Sequence, residues 1–251
     1  MAPHRWLLKG AVALDFRLEE RARTTMDLDI QRQDDPESAQ RDVLAAAAED
    51  LDDYFVFSLV DMERRNEAEE GSAVRFHIRC ELAGRPFDDV TVDVGFRDAL
   101  LGDADVLRGP DLLDFADIPP VEAPAITIGQ HVAEKLHAYT RSYGRRGVTS
   151  TRVKDLVDLV LIAESIAIPA DQLASAIRAV FTERATHSLP ASLPIPPAEW
   201  GVPYKKMADQ VGVESGVDAA FSVAARFLNH VLSGEVATGT WNPISRSWDV
   251  K

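Results

Sequence analysis

The chain has 251 residues, 46% of them hydrophobic and 27% charged, and its formal net charge is −14. This is the composition of a globular protein that forms one ordinary domain or two small ones. No apolar run approaches the roughly 20 residues of a membrane-spanning helix. The first residues lack the features of a signal peptide, and the single cysteine excludes an intrachain disulfide framework. We therefore expect a cytoplasmic protein with no role at a membrane.

The first 118 residues are predicted to form a small α+β unit. A helix is expected over residues 11–20 from its apolar stripe, and a strand over 24–30 from its alternating side chains. The other expected elements are a helix over 37–53, a hairpin of 54–64 with 72–82, and a strand over 90–96. Prolines and glycines in 107–124 interrupt regular structure and predict a domain boundary there.

Residues 119–251 are predicted to be mainly helical. The expected helices cover residues 129–142, 151–164, 169–184, 202–211 and 217–232. The tail 238–251 carries two tryptophans and is expected to be a short extended closure.

Charge is distributed unevenly between these parts. Residues 34–70 hold thirteen acidic and three basic residues, whereas residues 135–154 hold two lysines and four arginines. A polyanion would be attracted to the second stretch and repelled by the first. The basic stretch is either a nucleic-acid contact or an ordinary solvated loop, and its charge alone does not separate the two.

Two aspartates occupy alternate positions of the first predicted strand. Asp27 and Asp29 should therefore emerge on one face, where their charges repel each other. A hard divalent cation relieves that repulsion, and Mg²⁺ favours a few carboxylates plus substrate phosphates. The pair by itself is weak evidence, because such pairs occur by chance and are more often two surface acids.

A third acid and a phosphate-binding turn favour the metal interpretation. Asp93 lies among β-branched residues of a later strand, where a buried carboxylate should be paired or metal-bound. Three carboxylates on neighbouring strands could hold two metals for in-line phosphoryl transfer. Lys9 and Gly10 open a turn into a helix, and helix N-termini bind phosphates.

Three motifs resemble those of the AbiEii/AbiGii nucleotidyltransferase toxin family, which is related to the mycobacterial MenT toxins. They are Leu7-Leu8-Lys9-Gly10-Ala11 with Arg23-x-Thr25-x-Asp27-Leu28-Asp29-Ile30, then Ala133-Glu134-Lys135-Leu136-His137-Ala138, then Arg152-Val153-Lys154-Asp155-Leu156-Val157-Asp158-Leu159. They occur in the family's order across the first two thirds of the chain.

The resemblance implies a fold and a set of site residues. The fold is a polymerase-β-like nucleotidyltransferase core with a small mixed sheet (α/β, residues 1–118), followed by a helical C-terminal lobe (119–251). The implied catalytic residues are Asp27, Asp29, Asp93, Lys135 and Asp155, of which the first three would bind Mg²⁺ or Mn²⁺. The implied nucleotide-binding residues are Lys9, Gly10, Ala11, Thr25, Lys135 and Asp158. Ala11 replaces the family's usual glycine or serine, so only backbone contacts to phosphate would remain there. Asp158 is alternatively a structural partner of a neighbouring arginine.

The resemblance also implies a function. The chain would be the toxin of a toxin–antitoxin pair, transferring a nucleoside monophosphate from an NTP to an acceptor hydroxyl. Relatives in the MenT branch modify the 3′ end of tRNA, so the expected partners are an NTP, tRNA and a cognate antitoxin. The expected RNA-binding residues are Arg141, Arg145, Arg146 and Arg152. The alternatives are a protein or small-molecule acceptor, or a non-catalytic partner-binding protein.

Overall fold

The protein is described by a computed structural model covering residues 5–18, 25, 27–67, 71–97, 103–141 and 152–250. It divides into an N-terminal unit that ends at Ile126 and a helical unit that begins at Thr127. The division falls later than the boundary predicted after residue 118, because a strand ending at Ala125 belongs to the sheet of the N-terminal unit. No helix within the described ranges has the length and apolar character needed to cross a membrane.

The N-terminal unit is built on a mixed sheet. Its elements are β1 (Leu7–Leu8), α1 (Gly10–Leu18), β2 (Asp27–Arg32), α2 (Pro36–Ala47), β3 (Phe55–Glu67), β4 (Gly71–Leu82), β5 (Arg85–Phe96), β6 (Asp105–Arg108) and β7 (Glu122–Ala125). Within the described residues, these seven strands form one sheet in the order β3-β4-β5-β2-β1-β7-β6. The β2–β5 and β1–β7 pairs are parallel and the other pairs are antiparallel.

One hydrophobic cluster of this unit lies between α2 and one face of the sheet. Asp35 caps α2 by accepting a hydrogen bond from the Ser38 N–H at 2.7 Å, and Pro36 occupies the first helical position. The buried residues of this cluster are Ile30, Ala39, Val43, Val74, Phe76, Val92 and Val94. Side chains alternate across a strand, so the residues between these point to the opposite face of the sheet. That opposite face is where Asp27, Asp29 and Asp93 lie.

Two parts of the fold differ from the sequence prediction. The helix predicted to reach residue 53 ends at Ala47. An acidic run follows it, which is unfavourable at the negative end of the helix dipole, and Asp52 and Tyr54 have left-handed φ angles of 56° and 62°. β1, β6 and β7 were not predicted, because strands of two to four residues are too short to show an alternating pattern.

The helical unit surrounds one buried helix. Its elements are α3 (Ile128–Thr140), α4 (Val153–Ser165), α5 (Ala170–Arg184), α6 (Gly201–Val211), α7 (Val217–Leu232), β8 (Thr240–Asn242) and β9 (Ser247–Asp249). Residues 142–151 connect the helices predicted over 129–142 and 151–164, and they lie outside the described ranges. Residues of α4 from Asp155 to Ala163 are all buried, which makes α4 the centre of the unit. The extended tail packs there, because the indole of Trp241 donates to the Ala163 carbonyl at 2.7 Å.

Candidate active site

Three acidic side chains lie on the sheet face opposite α2. In the parallel β2–β5 ladder, Asp29 is paired with Asp93 and Asp27 with Thr91. Paired residues point to the same face, and alternate residues along a strand share a face. The structure therefore brings Asp27, Asp29 and Asp93 onto one face of two adjacent strands.

Gly10 allows the carboxylate of Asp29 to lie against the first turn of α1. The φ angle of Gly10 is +63°, and a Cβ built at this position would lie only 2.0 Å from Asp29 Oδ2. The adjacent Lys9 N–H donates to the Asp29 carbonyl at 3.0 Å. Glycine is thus required twice here, by the backbone conformation and by the close approach of a carboxylate. These two requirements explain why glycine follows Lys9 in the first motif.

Lys9 brings a positive charge to the same face. A Cβ at Gly95 would lie 3.1 Å from Lys9 Nζ. Gly95 follows Asp93 by two residues on β5, so its missing side chain would occupy the acidic face. The absence of a side chain at position 95 leaves room for the ammonium group beside the carboxylates.

Arg75 is a second cation of this face, and no sequence motif indicates it. It lies opposite Asp93 in the β4–β5 ladder. Its Nε donates to Asp93 Oδ1 at 2.6 Å, and its Nη2 donates to Asp93 Oδ2. The hydrogen bond with Asp93 raises the pKa of the Arg75 guanidinium despite the opposing effect of burial, and the charge of Asp27 adds to the rise. The alternation of residues 74–79 predicts a polar face for Arg75 but not its cross-strand partner.

Two further residues of the first motif have structural roles. The hydroxyl of Thr25 accepts a hydrogen bond from the Asp27 N–H at 3.3 Å, so it shapes the start of β2. Ala11, in the first turn of α1, is buried, with 2% of the residue exposed. Its methyl group therefore packs inside the unit and does not contact a ligand. Arg23 lies outside the described residues.

The aspartates of β2 fit a divalent cation. Mg²⁺ is commonly bound through one or two carboxylates plus substrate phosphates and water. Asp27 is exposed and Asp29 is partly exposed, and Gly10 provides the cradle in which the Asp29 carboxylate lies. In the part of the chain that the structure describes, no three acidic, histidine or cysteine side chains are grouped as a metal site. Both oxygens of Asp93 are bound by Arg75 instead.

The predicted residues of the helical unit form a buried ionic cluster. Nζ of Lys135 lies 2.6 Å from Asp158 Oδ2 and 3.4 Å from Asp155 Oδ1. Nε of Arg152 donates to Asp155 Oδ2 at 2.7 Å. Both aspartates have 0% of their surface exposed and Lys135 has 8%. Buried carboxylates of this kind need cationic partners, so the cluster links α3 to α4 through charge.

The four arginines predicted to bind RNA divide into two groups. Arg145 and Arg146 lie outside the described residues. Arg141 is buried. The pKa of His187 is lowered mainly by the burial of its own ring and, to a smaller extent, by the positive charge of Arg141. Arg152 is bound to Asp155. The two described arginines therefore interact within the helical unit, and RNA binding by this segment stays a prediction.

Two comparisons with known proteins found a match. A family model described as "Nucleotidyl transferase AbiEii toxin, Type IV TA system" matches residues 2–223. The fold is similar to that of MenT4, a nucleotidyltransferase toxin from Mycobacterium tuberculosis. The TM-score is 0.53 and the identity 18%, over 92% of this chain and 84% of that chain. No curated protein matches this sequence.

The structural similarity, at this low identity, shows the fold alone, and it confirms the predicted mixed α/β class. The family match spans most of the chain and confirms the resemblance seen in the three motifs. The chain therefore belongs to the AbiEii family, the nucleotidyltransferase toxins of type IV toxin–antitoxin systems.

Proposed function

We propose that this toxin transfers a nucleoside monophosphate from an NTP to an acceptor hydroxyl, with a divalent cation held by Asp27 and Asp29. The observation that carries the proposal is the acidic face of β2 and β5, where Asp29 is paired with Asp93 beside Gly10. When bound, Mg²⁺ or Mn²⁺ would neutralise and orient the triphosphate. The acceptor hydroxyl would attack the α-phosphate and lose its proton to solvent as the new P–O bond forms and the bond to the pyrophosphate leaving group breaks.

Residues around the carboxylates would position the nucleotide. The Lys9 ammonium, beside Gly95, is a compact charge that suits a phosphate oxygen. The N–H groups of Gly10 and Ala11, in the first turn of α1, would donate to the phosphates. The Thr25 hydroxyl would hold the start of β2, and with it Asp27, in place. Catalysis of this kind depends mainly on positioning and charge stabilisation.

For the helical unit, the proposal rests on the sequence motifs. Lys135 and Asp155 would take part in catalysis, and Lys135 and Asp158 would contact the nucleotide. Their ion pairs give these residues a second role, which is to hold α3 against α4. The two roles are separable by measuring stability and activity on the same variants.

The acceptor that we propose is the 3′ end of tRNA. Its support is the net positive charge of residues 135–154, which would attract the phosphates of an RNA. A cognate antitoxin would be the partner that controls the activity. A protein or small-molecule acceptor is the second candidate, and it is favoured by the net charge of −14, which repels a polyanion.

The acceptor can be identified by following the label of each α-³²P-labelled NTP into total RNA in the presence of Mg²⁺. We expect label in tRNA-sized RNA, lost with EDTA and restored by Mg²⁺ or Mn²⁺. If about four to six phosphate contacts hold the RNA, a rise in salt from about 50 to 200 mM should weaken RNA binding roughly 10²- to 10³-fold.

Periodate-oxidised tRNA is the matched control for this assay, because it keeps the polyanion but lacks the terminal hydroxyls. It should accept no label. Label on oxidised tRNA, or label only on protein or small molecules, would contradict a tRNA 3′ acceptor.

A further inference from the structure

We propose that Arg75 is a displaceable counter-ion of the metal site. It binds Asp93 in the nucleotide-free enzyme and has to release this carboxylate before Asp93 can bind a divalent cation. Arg75 is thereby a positioning residue that sets when the third carboxylate becomes available. The inference rests on the proposed function, because it takes Asp27 and Asp29 as the first ligands of the cation.

The geometry of the Arg75–Asp93 pair makes it a competitor for a metal. Both oxygens of the carboxylate are used, Oδ1 by Nε at 2.6 Å and Oδ2 by Nη2. Bidentate arginine–carboxylate pairs are among the stronger ion pairs of proteins. A cation that binds Asp93 through these oxygens therefore has to compete with the guanidinium.

The surroundings of the pair allow such an exchange. The side chains of Arg75 and Asp93 are 22% and 27% exposed, so a ligand can reach them. The buried aspartates of the helical unit, by contrast, have no exposed surface. Arg75 lies on the strand next to β5 and is directly paired with Asp93. The arginine side chain has several rotatable bonds, so it can leave the carboxylate without a movement of either strand.

Charge balance supplies the reason for an arginine at this place. Asp27, Asp29 and Asp93 share one face, and three neighbouring carboxylates repel one another. Arg75 and Lys9 offset part of that charge when no metal is bound. A divalent cation brings two positive charges to the same face and can replace the charge of Arg75.

The strand also provides a matched control. Arg79 lies four residues after Arg75 on β4, hence on the same face, and its Nε is 3.4 Å from Asp89 Oδ1. The replacements Arg75→Gln and Arg79→Gln remove the same charge from the same strand. Only the first releases Asp93.

The test is Mn²⁺ binding to the nucleotide-free full chain. Binding is followed through the electron paramagnetic resonance signal of free Mn²⁺. We expect Arg75→Gln to bind Mn²⁺ roughly tenfold more tightly than the wild type, the scale of one charge-assisted hydrogen bond. Arg79→Gln should stay within about twofold, since its charge is remote and screened. The gain should vanish in Arg75→Gln/Asp93→Asn. Arg75→Lys, which keeps the charge without the bidentate pair, should fall between the wild type and Arg75→Gln.

The outcomes separate this inference from the proposed function. Equal affinity in the wild type and Arg75→Gln, or the same gain in both glutamine variants, would overturn the role of Arg75. The Asp27–Asp29 site would still stand if Asp29→Asn abolishes Mn²⁺ binding. Unchanged binding in Asp29→Asn would overturn the proposed function itself. Thermal melts of every variant verify the fold, and Arg75→Lys provides the comparison if Arg75→Gln unfolds.

Discussion

Gly10→Ala is expected to lower nucleotidyl transfer by about 100-fold or more, on the scale that a displacement of roughly 1 Å at a reacting centre produces. A methyl group at this position would lie 2.0 Å from Asp29 Oδ2. The Asp29 carboxylate would have to move away from the first turn of α1. The loss should approach that of Asp29→Asn, which removes the charge of the same side chain.

Gly84→Ala is the matched control for this replacement. Gly84 has a φ angle of +74°, close to the +63° of Gly10, but nothing lies within 4 Å of a Cβ built there. Both alanines incur left-handed backbone strain of about 1–2 kcal/mol, and only Gly10→Ala meets a carboxylate. The measurements are kcat/KM for label transfer and the midpoint of thermal unfolding. Similar activity in the two alanine variants would mean that transfer does not depend on the position of Asp29.

Lys135→Met is expected to destabilise the helical unit by about 3–5 kcal/mol, the usual cost of removing one partner of a buried ion pair. Nζ of Lys135 is 2.6 Å from Asp158 Oδ2, and both Asp155 and Asp158 are fully buried. The free energy of unfolding can be measured by urea titration with tryptophan fluorescence. Three of the four tryptophans, Trp200, Trp241 and Trp248, lie in this unit.

Lys205→Met is the control, because the Lys205–Asp209 pair of α6 is exposed, with side-chain exposures of 62% and 54%. It should cost about 0.5 kcal/mol or less. In Lys135→Met/Asp158→Asn the buried negative charge is removed as well, so part of the stability should return. Nucleotidyl transfer by this double variant should stay low if Lys135 contacts the nucleotide. The single variant Asp158→Asn shows how much of the loss of activity is due to Asp158. Recovery of activity together with stability would leave Lys135 a purely structural residue.

Local pattern was sufficient to predict part of the acidic face. The two-residue spacing of Asp27 and Asp29 places them on one face of any strand. The pairing of Asp29 with Asp93 was not accessible in the same way, because it depends on β2 and β5 lying side by side. Short-range patterns carry no information on which distant strands become neighbours.

The pairing of Arg75 with Asp93 depends on the register of the β4–β5 hairpin. β4 and β5 are joined by a two-residue turn, Ala83 and Gly84, with φ angles of 50° and 74°, so Leu82 is paired with Arg85. A β-bulge then shifts the register between Cys80 and Glu81. Without it, Arg75 would lie opposite Val92, since a one-residue shift exchanges the two faces of the partner strand. Nothing in the alternating pattern of residues 72–82 reveals the bulge.

The ionic cluster of the helical unit shows the same limit. A lysine on an amphipathic helix is expected at the surface, and Lys135 is 8% exposed because α4 presents Asp155 and Asp158 to it. The motifs singled out these three residues as candidates. Their burial, and hence their importance for stability, came from the packing of α3 on α4.

Anomalous diffraction from crystals grown with Mn²⁺ and a non-hydrolysable NTP analogue would locate the cation itself. We predict a manganese peak at coordination distance, roughly 2.0–2.2 Å, from carboxylate oxygens of both Asp27 and Asp29. A well-occupied manganese–nucleotide complex with neither of these carboxylates as a ligand would contradict the assignment of the active site.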